Sequence, residues 1–245
     1  MDLGLDRAGW TCVGQVELDA WCRTVLEHHW PGVPKHDDVR TSPAWWATEP
    51  RPAVRLVAGG FPCQPFSQAG LRRGIADERW GWPWFRAVIR AVRPDYVLVE
   101  NVPALLGDAD AFGWMLGDLA EDGFDADWTL LSACALGAPH SRERLFVVAY
   151  ANGVARSAAV PRKVLANPAP SRCIEGADRR GRTGGDPWTA EPDVGRVAHG
   201  VPARVDRLRG LGNAVVPQLG ELVGRLIRDH AQQNLVLTRA IGDAV

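Results

Sequence analysis

The chain has 245 residues, 46% of them hydrophobic, and a net charge of −1. This length allows one α/β domain with a substantial core and a small appendage. The sequence contains no signal peptide and no apolar run of about 18 residues, which excludes secreted and membrane-spanning classes and predicts a cytoplasmic protein without a membrane partner.

The cysteines exclude two further classes. They are odd in number and include no Cys-x-x-Cys pair, which argues against a disulfide framework or a zinc site and fits a reducing cytoplasm. No metal is therefore expected. The five are Cys12, Cys22, Cys63, Cys134 and Cys173.

Charge is unevenly distributed along the chain. Residues 1–139 carry 12 basic and 19 acidic side chains, a net −7, whereas residues 140–228 carry 15 and 8, a net +7. The second half therefore holds a candidate surface for a polyanion. A solvated basic surface explains the same pattern, so charge alone does not decide between the two.

The first elements predicted are an amphipathic helix over residues 1–9, a strand over residues 10–16 and a helix over residues 20–30. Glu17 follows the predicted strand. A carboxylate at such a strand end often binds ribose hydroxyls in nucleotide-binding α/β folds, but Glu17 equally suits an acidic charge at the start of the next helix.

Residues 31–52 predict a loop-rich segment that contains an acidic turn, Asp37-Asp38-Val39. The Asp38 carboxylate suits a hydrogen bond from an adenine amino group, and it equally suits the cap of a helix.

A proline-flanked cysteine follows the short apolar run at residues 54–58. Residues 59–67 are Gly-Gly-Phe-Pro-Cys-Gln-Pro-Phe-Ser. Pro62 and Pro65 fix φ and lack an amide donor, while the two glycines allow close approach of a ligand or another backbone. The alternative is that Cys63 is a small core residue, but core strands rarely carry such flanks. The pattern predicts a reactive thiol on a loop at a strand end.

An acidic residue follows the next apolar strand. Residues 83–92 predict a helix and residues 96–99 a strand, which leads into Glu100-Asn101-Val102-Pro103. A carboxyl group delivered by an apolar strand is readily desolvated, which raises its pKa and lets it donate a proton near neutral pH. Glu100 is thus a candidate acid, although it also suits the cap of a following helix.

The remaining predicted elements are a helix over residues 111–119, strands over residues 128–135 and 145–150, and a helix over residues 217–229. Arg142 and Arg144 precede the second strand, and in extended backbone they would point the same way and form a paired cationic grip. A surface strand with alternating charges is the alternative. Residues 151–189 predict a small irregular domain or a partly disordered insert.

Four segments, in this order, resemble the DNA cytosine-5 methyltransferases. The resemblance covers most of residues 1–150 and 195–228. One such block is weak evidence, but four in the right order are specific. The matching blocks are Pro62-Cys63-Gln64, Glu100-Asn101-Val102, Arg142-Glu143-Arg144 and Gly212-Asn213-Ala214-Val215-Val216-Pro217.

The resemblance implies an α/β fold: a Rossmann-like, S-adenosylmethionine-dependent methyltransferase sheet with a small irregular target-recognition region. Residues 1–150 would form the catalytic domain, residues 151–205 the target-recognition region, and residues 206–245 a return to the catalytic domain. The implied reaction is methyl transfer from S-adenosyl-L-methionine to carbon 5 of a cytosine flipped out of double-stranded DNA. A monomer is expected, acting beside a cognate restriction endonuclease in a restriction-modification system or in a phage-associated setting.

The family's site residues are carried over to matching positions only. By resemblance, Cys63 adds to carbon 6 of the base and Glu100 protonates ring nitrogen 3. Arg142 and Arg144 surround the base, and at least Arg144 holds its exocyclic oxygen. The implied cofactor positions are Glu17 for the ribose, Leu18 for adenine packing, Asp38 and Val39 for the adenine edge, and Pro62, Asn213 and Val215 for further contacts.

One block of the family is not found. Family members place a strand and a Phe-x-Gly-x-Gly loop before the helix that begins at Asp2 here, so the resemblance predicts a sheet that lacks its first central strand. A misplaced start codon, a truncated relic and a separate chain that supplies the piece all explain this. The functional alternatives are accordingly an inactive relic that at most binds DNA, and a tRNA cytosine-5 methyltransferase.

Overall fold

The computed structural model describes residues 1–62, 80–152 and 204–242, which form a mixed α/β fold. The helices are α1 (Asp2–Arg7), α2 (Ala20–His29), α3 (Ser42–Ala47), α4 (Trp82–Val92), α5 (Ala109–Glu121), α6 (Arg204–Asn213) and α7 (Pro217–Gly242). The strands are β1 (Gln15–Val16), β2 (Lys35–His36), β3 (Leu56–Gly60), β4 (Tyr96–Asn101), β5 (Phe124–Ser132) and β6 (Glu143–Ala151). Short 3₁₀ segments follow β4 and β5, at Pro103–Gly107 and Ala133–Leu136.

The described strands form two sheets. β1 and β2 pair in parallel, and the larger sheet has the order β3-β4-β6-β5. β3 is parallel to β4, whereas β6 is antiparallel to both β4 and β5. The carboxyl ends of β3 and β4 and the amino end of β6 therefore meet at one edge of the sheet.

The core lies on both faces of β4, all of whose residues are buried. Because side chains alternate along a strand, Val97 and Val99 face the apolar side chains of α4 and α5, while Tyr96 and Leu98 face those of α7. Glu100, at the next even position, lies on the α7 face.

Helix α7 is fixed against α1 by a very close contact. A Cβ on Gly4 would lie 2.3 Å from the carbonyl oxygen of Pro217, so only glycine fits there. Three residues after the end of α1, Trp10 Nε1 donates a hydrogen bond to the Gly224 carbonyl of α7 at 2.9 Å. The two helices thus run in the same direction, and their amino ends lie side by side.

Most predicted elements are confirmed with shifted ends, but one strand is much shorter than predicted and the loop-rich segment includes a short helix. The strand predicted over residues 10–16 is reduced to Gln15–Val16. Its partner strand β2 begins only at Lys35, because Pro34 has no amide donor for strand pairing. The loop-rich segment contains α3, which has a proline in its first turn. The irregular region predicted over residues 151–189 lies, after residue 152, outside the described residues.

The cysteines depart from the expectation in one place. Cys12 and Cys22 are free, but Cys134 is disulfide-bonded. Within those ranges, no helix is long and apolar enough to cross a membrane, and no group of acidic, histidine or cysteine side chains is arranged to hold a metal ion.

Candidate functional site

A largely buried ion pair lies at the edge where β4 ends and β6 begins. Arg144 Nε lies 3.0 Å from Glu100 Oε1, and the two side chains are 18% and 10% exposed. Glu100 pairs with Phe146 across the sheet, and Arg144 is two residues from Phe146, so both charged side chains lie on the same face. The strand register therefore brings carboxylate and guanidinium together.

Burial raises the pKa of the Glu100 carboxyl above its usual value, although Arg144, the Met1 α-amino group and Arg142 act in the opposite direction. This direction agrees with the one expected from the sequence. A carboxyl group with a raised pKa keeps its proton closer to neutral pH, which is the property that an acid requires. Proton donation by Glu100 stays a prediction.

Arg142 is placed differently from the paired grip predicted for the two arginines. It lies one residue before β6 and has a φ of 27°, so its backbone is not extended. Its Nη2 donates to the carbonyl oxygens of Gly212 at 2.8 Å and of Ala214 at 2.6 Å. The prediction of a common direction is wrong, because Arg144 pairs with Glu100 while Arg142 reaches the connection between α6 and α7.

The entrance to the cysteine loop lies beside Glu100. Cys63 itself lies outside the described residues, so its reactivity stays a prediction. Gly60 pairs with Glu100, and a Cβ on Gly60 would lie 3.1 Å from Glu100 Oε2. The backbone N–H of Gly81 donates to the carbonyl oxygen of Pro62 at 3.4 Å. The end of β3 therefore lies next to the ion pair, and the described residues Pro62 and Gly81, on either side of the Cys63 segment, lie close together.

Asn101 holds this entrance to β4. Its Nδ2 donates to the carbonyl oxygen of Phe61 at 3.2 Å, and its Oδ1 accepts from the backbone N–H of Val102 at 2.8 Å. The sequence motif Glu100-Asn101-Val102 contains Asn101 but predicted no role for it. The signal that identifies its role is a polar residue in a strand whose other positions are apolar and buried.

Glu17 and Leu18 directly follow β1. Glu17 Oε1 accepts from the backbone N–H of Asp19 at 2.8 Å, and the Leu18 side chain is 72% exposed. Asp19, not Glu17, caps α2, since its side chain accepts from the N–H groups of Trp21 and Cys22. The helix-start alternative therefore applies to Asp19, and ribose binding by Glu17 stays a prediction.

Asp38 follows β2, so it shares the carboxyl end of the small parallel sheet with Glu17. Arg40 Nε donates to Asp38 Oδ1 at 2.9 Å, and Arg40 Nη2 donates to Oδ2 at 2.6 Å. These bonds lower the pKa of Asp38 from 3.8 to about 2. Asp38 is not the cap of α3, which is Thr41. Val39, the other predicted adenine contact, is partly buried beside it.

Asn213 and Val215 lie in different surroundings although they are two residues apart. Asn213 is the exposed last residue of α6. Val215 is 8% exposed and belongs to the core cluster that includes Leu98 and Phe146. The structure thus places Asn213 at the surface of the site and Val215 beneath it.

Comparison with known proteins identifies the family. The family model of C-5 cytosine-specific DNA methylase matches residues 1–176. The chain is 32% identical over 156 residues to Type II methyltransferase M2.BsuMI of Bacillus subtilis (strain 168), and 32% identical over 199 residues to Type II methyltransferase M.NaeI of Lentzea aerocolonigenes. These matches cover 61% and 77% of this chain but 39% and 46% of the relatives, so it spans less than half of their length.

The fold is similar to that of solved methyltransferases. The S. pombe Dnmt2 methyltransferase matches with a TM-score of 0.51 at 23% identity, over 62% of this chain and 47% of that one. At this identity the likeness concerns the fold alone, whereas the family model covers well over half of the sequence. The chain therefore belongs to the C-5 cytosine-specific DNA methylase family.

Proposed function

We propose that this protein is a DNA cytosine-5 methyltransferase that acts on a flipped cytosine in double-stranded DNA with S-adenosyl-L-methionine as the methyl donor. The observation that carries the proposal is the largely buried Glu100–Arg144 pair beside Gly60, at the end of the strand that leads to Cys63. Family membership supports the reaction class. Relatives named as Type II methyltransferases support a role within a restriction-modification system.

The residue types suit the chemistry of the ring. Carbon 5 of cytosine is a poor nucleophile, so the Cys63 thiolate first forms a bond to carbon 6. Glu100 gives its proton to ring nitrogen 3 at the same time, which prevents a full negative charge on the ring. Arg144 holds the exocyclic oxygen through its planar guanidinium. After methylation, a solvent water accepts the carbon 5 proton, the electrons of that bond restore the double bond between carbons 5 and 6, and Cys63 leaves as a thiolate. Nitrogen 3 returns its proton to Glu100.

S-adenosyl-L-methionine, when bound, supplies the methyl group. The residues proposed to hold it are Glu17, Leu18, Asp38, Val39, Pro62, Asn213 and Val215. The structure fits a nucleoside in one respect, because two carboxylates follow neighbouring parallel strands and the apolar Leu18 side chain is exposed beside them. Adenine binding at Asp38 requires that its oxygens share their hydrogen bonds with Arg40.

We further propose that residues 151–205 read the target sequence and that residues 1–150 and 206–245 form the catalytic part. The acidic first half and basic second half of the chain support this division, because DNA binding draws on basic side chains. The proposed enzyme is a cytoplasmic monomer.

The test is transfer of a labelled methyl group by the full chain into duplex DNA and into tRNA, with Cys63→Ser in parallel. We expect 5-methylcytosine in the DNA, and none with the variant. A duplex that contains 5-fluorocytosine has no carbon 5 proton to lose, so it should form an adduct with the chain that survives denaturant. Label in tRNA alone would indicate a tRNA enzyme, and DNA binding without any label would indicate a relic.

A further inference from the structure

Arg142 connects the catalytic edge of the sheet to a segment 70 residues further along the chain. Its Nη2 donates to the main-chain carbonyls of Gly212 and Ala214. Gly212 lies in the last turn of α6, and Ala214 lies between α6 and α7. Both acceptors therefore belong to the connection that carries Asn213 and Val215.

The position of these carbonyl groups at the end of a helix favours the binding of a cation. The last carbonyl groups of a helix have no partner within the helix and lie at the negative end of its dipole. The last turn of α6 contains no basic side chain. The Arg142 guanidinium therefore caps this helix from a different part of the chain.

The backbone at Arg142 has an unusual conformation that neighbouring hydrogen bonds hold in place. A φ of 27° is unfavourable for a residue with a side chain, and within the described part of the chain only Arg93 shares a positive φ among residues other than glycine. The carbonyl oxygen of Ser141, just before it, accepts from the backbone N–H of Ala133 at 2.8 Å and from Ser132 Oγ. Neighbouring hydrogen bonds thus fix the turn from which the Arg142 side chain extends to Gly212 and Ala214.

We propose that Arg142 is a positioning residue that holds the segment around Asn213 and Val215 in place beside the Glu100–Arg144 pair. Arg142 then acts on cofactor binding through that segment, whereas Arg144 acts on the base. The catalytic consequence rests on the proposed function, but the positioning of the segment does not.

The structural part is tested by amide hydrogen exchange over residues 210–216 in the full chain. Arg142→Ala should exchange about tenfold faster than wild type in this segment, because charge-assisted hydrogen bonds are the strong ones. Arg142→Lys, which keeps the cation, should be intermediate. Arg55→Ala is the matched control and should leave the segment unchanged, because Arg55 is a partly exposed arginine beside β3 whose partner Asp95 is equally exposed. No acceleration in Arg142→Ala, or equal acceleration in Arg55→Ala, would overturn the proposal. If Arg142→Ala does not fold, the same comparison between Arg142→Lys and Arg55→Lys decides.

The catalytic part is tested by separating KM from kcat. Arg142→Ala should raise KM for S-adenosyl-L-methionine about tenfold and change kcat less than about threefold, with partial rescue in Arg142→Lys. Arg144→Ala should instead lower kcat. A fall in kcat with unchanged KM in Arg142→Ala would contradict the proposal. If wild type transfers no methyl group, the proposed function fails, and the exchange experiment still decides the role of Arg142.

Discussion

Glu100 and Arg144 form an ion pair because Glu100 pairs across the sheet with Phe146, two residues from Arg144 on the same face. The pair is mostly buried, so each charge depends on the other for its stability in the protein. Removing one partner of such a pair leaves an uncompensated buried charge, which typically costs about 3–5 kcal/mol.

Substitution of Glu100 by Gln should abolish most methyl transfer. Gln has the same shape but no acidic proton, and proton donation by a placed side chain is worth roughly a hundredfold or more. The measurement is the single-turnover rate on duplex DNA at neutral pH. Glu49→Gln is the control, since the Glu49 side chain is 69% exposed. Activity of Glu100→Gln within about threefold of wild type would rule out the acid role.

Glu100 should also make stability depend on pH in a defined direction. Its pKa is raised above the usual 4.5 by burial, so the folded state binds its proton more tightly than the unfolded state. Its stabilising contribution is complete below the unfolded pKa and is lost as pH rises through the folded pKa. Urea unfolding of wild type and Glu100→Gln from pH 4 to 8 tests this. The free-energy advantage of wild type should shrink as pH rises; growth with pH would contradict the assignment.

Asp122 should show the opposite pH dependence. Its carboxylate binds Arg86 Nε at 2.7 Å and also Arg90, which lowers the pKa of Asp122 to about 2. A lowered pKa contributes stability that is present above the unfolded pKa and lost as pH falls toward 2. Asp122→Asn should cost about 1 kcal/mol at pH 7 and progressively less in acid. The exposed Asp6→Asn serves as control in the same urea titrations, and an equal loss in both variants would argue against the network.

Gly4→Ala should destabilise the protein although alanine is the better helix former. The new Cβ would lie 2.3 Å from the Pro217 carbonyl oxygen and 2.6 Å from the Glu221 nitrogen, and backbone atoms cannot move aside cheaply. We expect a loss of about 2 kcal/mol in the free energy of unfolding. Gly117→Ala, also within a helix, has open space at its Cβ and should gain up to about 1 kcal/mol. Denaturant midpoints of the two variants should therefore move in opposite directions.

Local sequence patterns predicted those features of the site that depend on one strand alone. The apolar run before Glu100 predicted a buried strand, and hence a raised pKa, without knowledge of any partner. The partner of Arg142 was not predictable, because the contact spans 70 residues and depends on a φ that the sequence does not reveal. The hydrogen bond from Arg40 to Asp38 was not predictable either, because sequence spacing does not determine which neighbouring side chain a carboxylate binds.

Helix α6 was missed because its sequence, with two glycines near its end, has little intrinsic preference for helix. Contacts from outside stabilise it instead. A Cβ on Gly210 would lie 2.6 Å from the Trp21 ring, so α6 packs closely against α2. The Arg142 guanidinium adds the missing charge at its carboxyl end.

The alternation of side chains along β6 limits where this protein tolerates changes of length. A one-residue insertion between Arg144 and Phe146 would turn Arg144 to the opposite face of the sheet, away from the Glu100 carboxylate. An insertion at the exposed residues Pro139 and His140, before the turn that the Ser141 hydrogen bonds fix, leaves the register of β6 unchanged. Insertions and deletions should therefore be accepted there and rejected within β6, however conservative the inserted residue is.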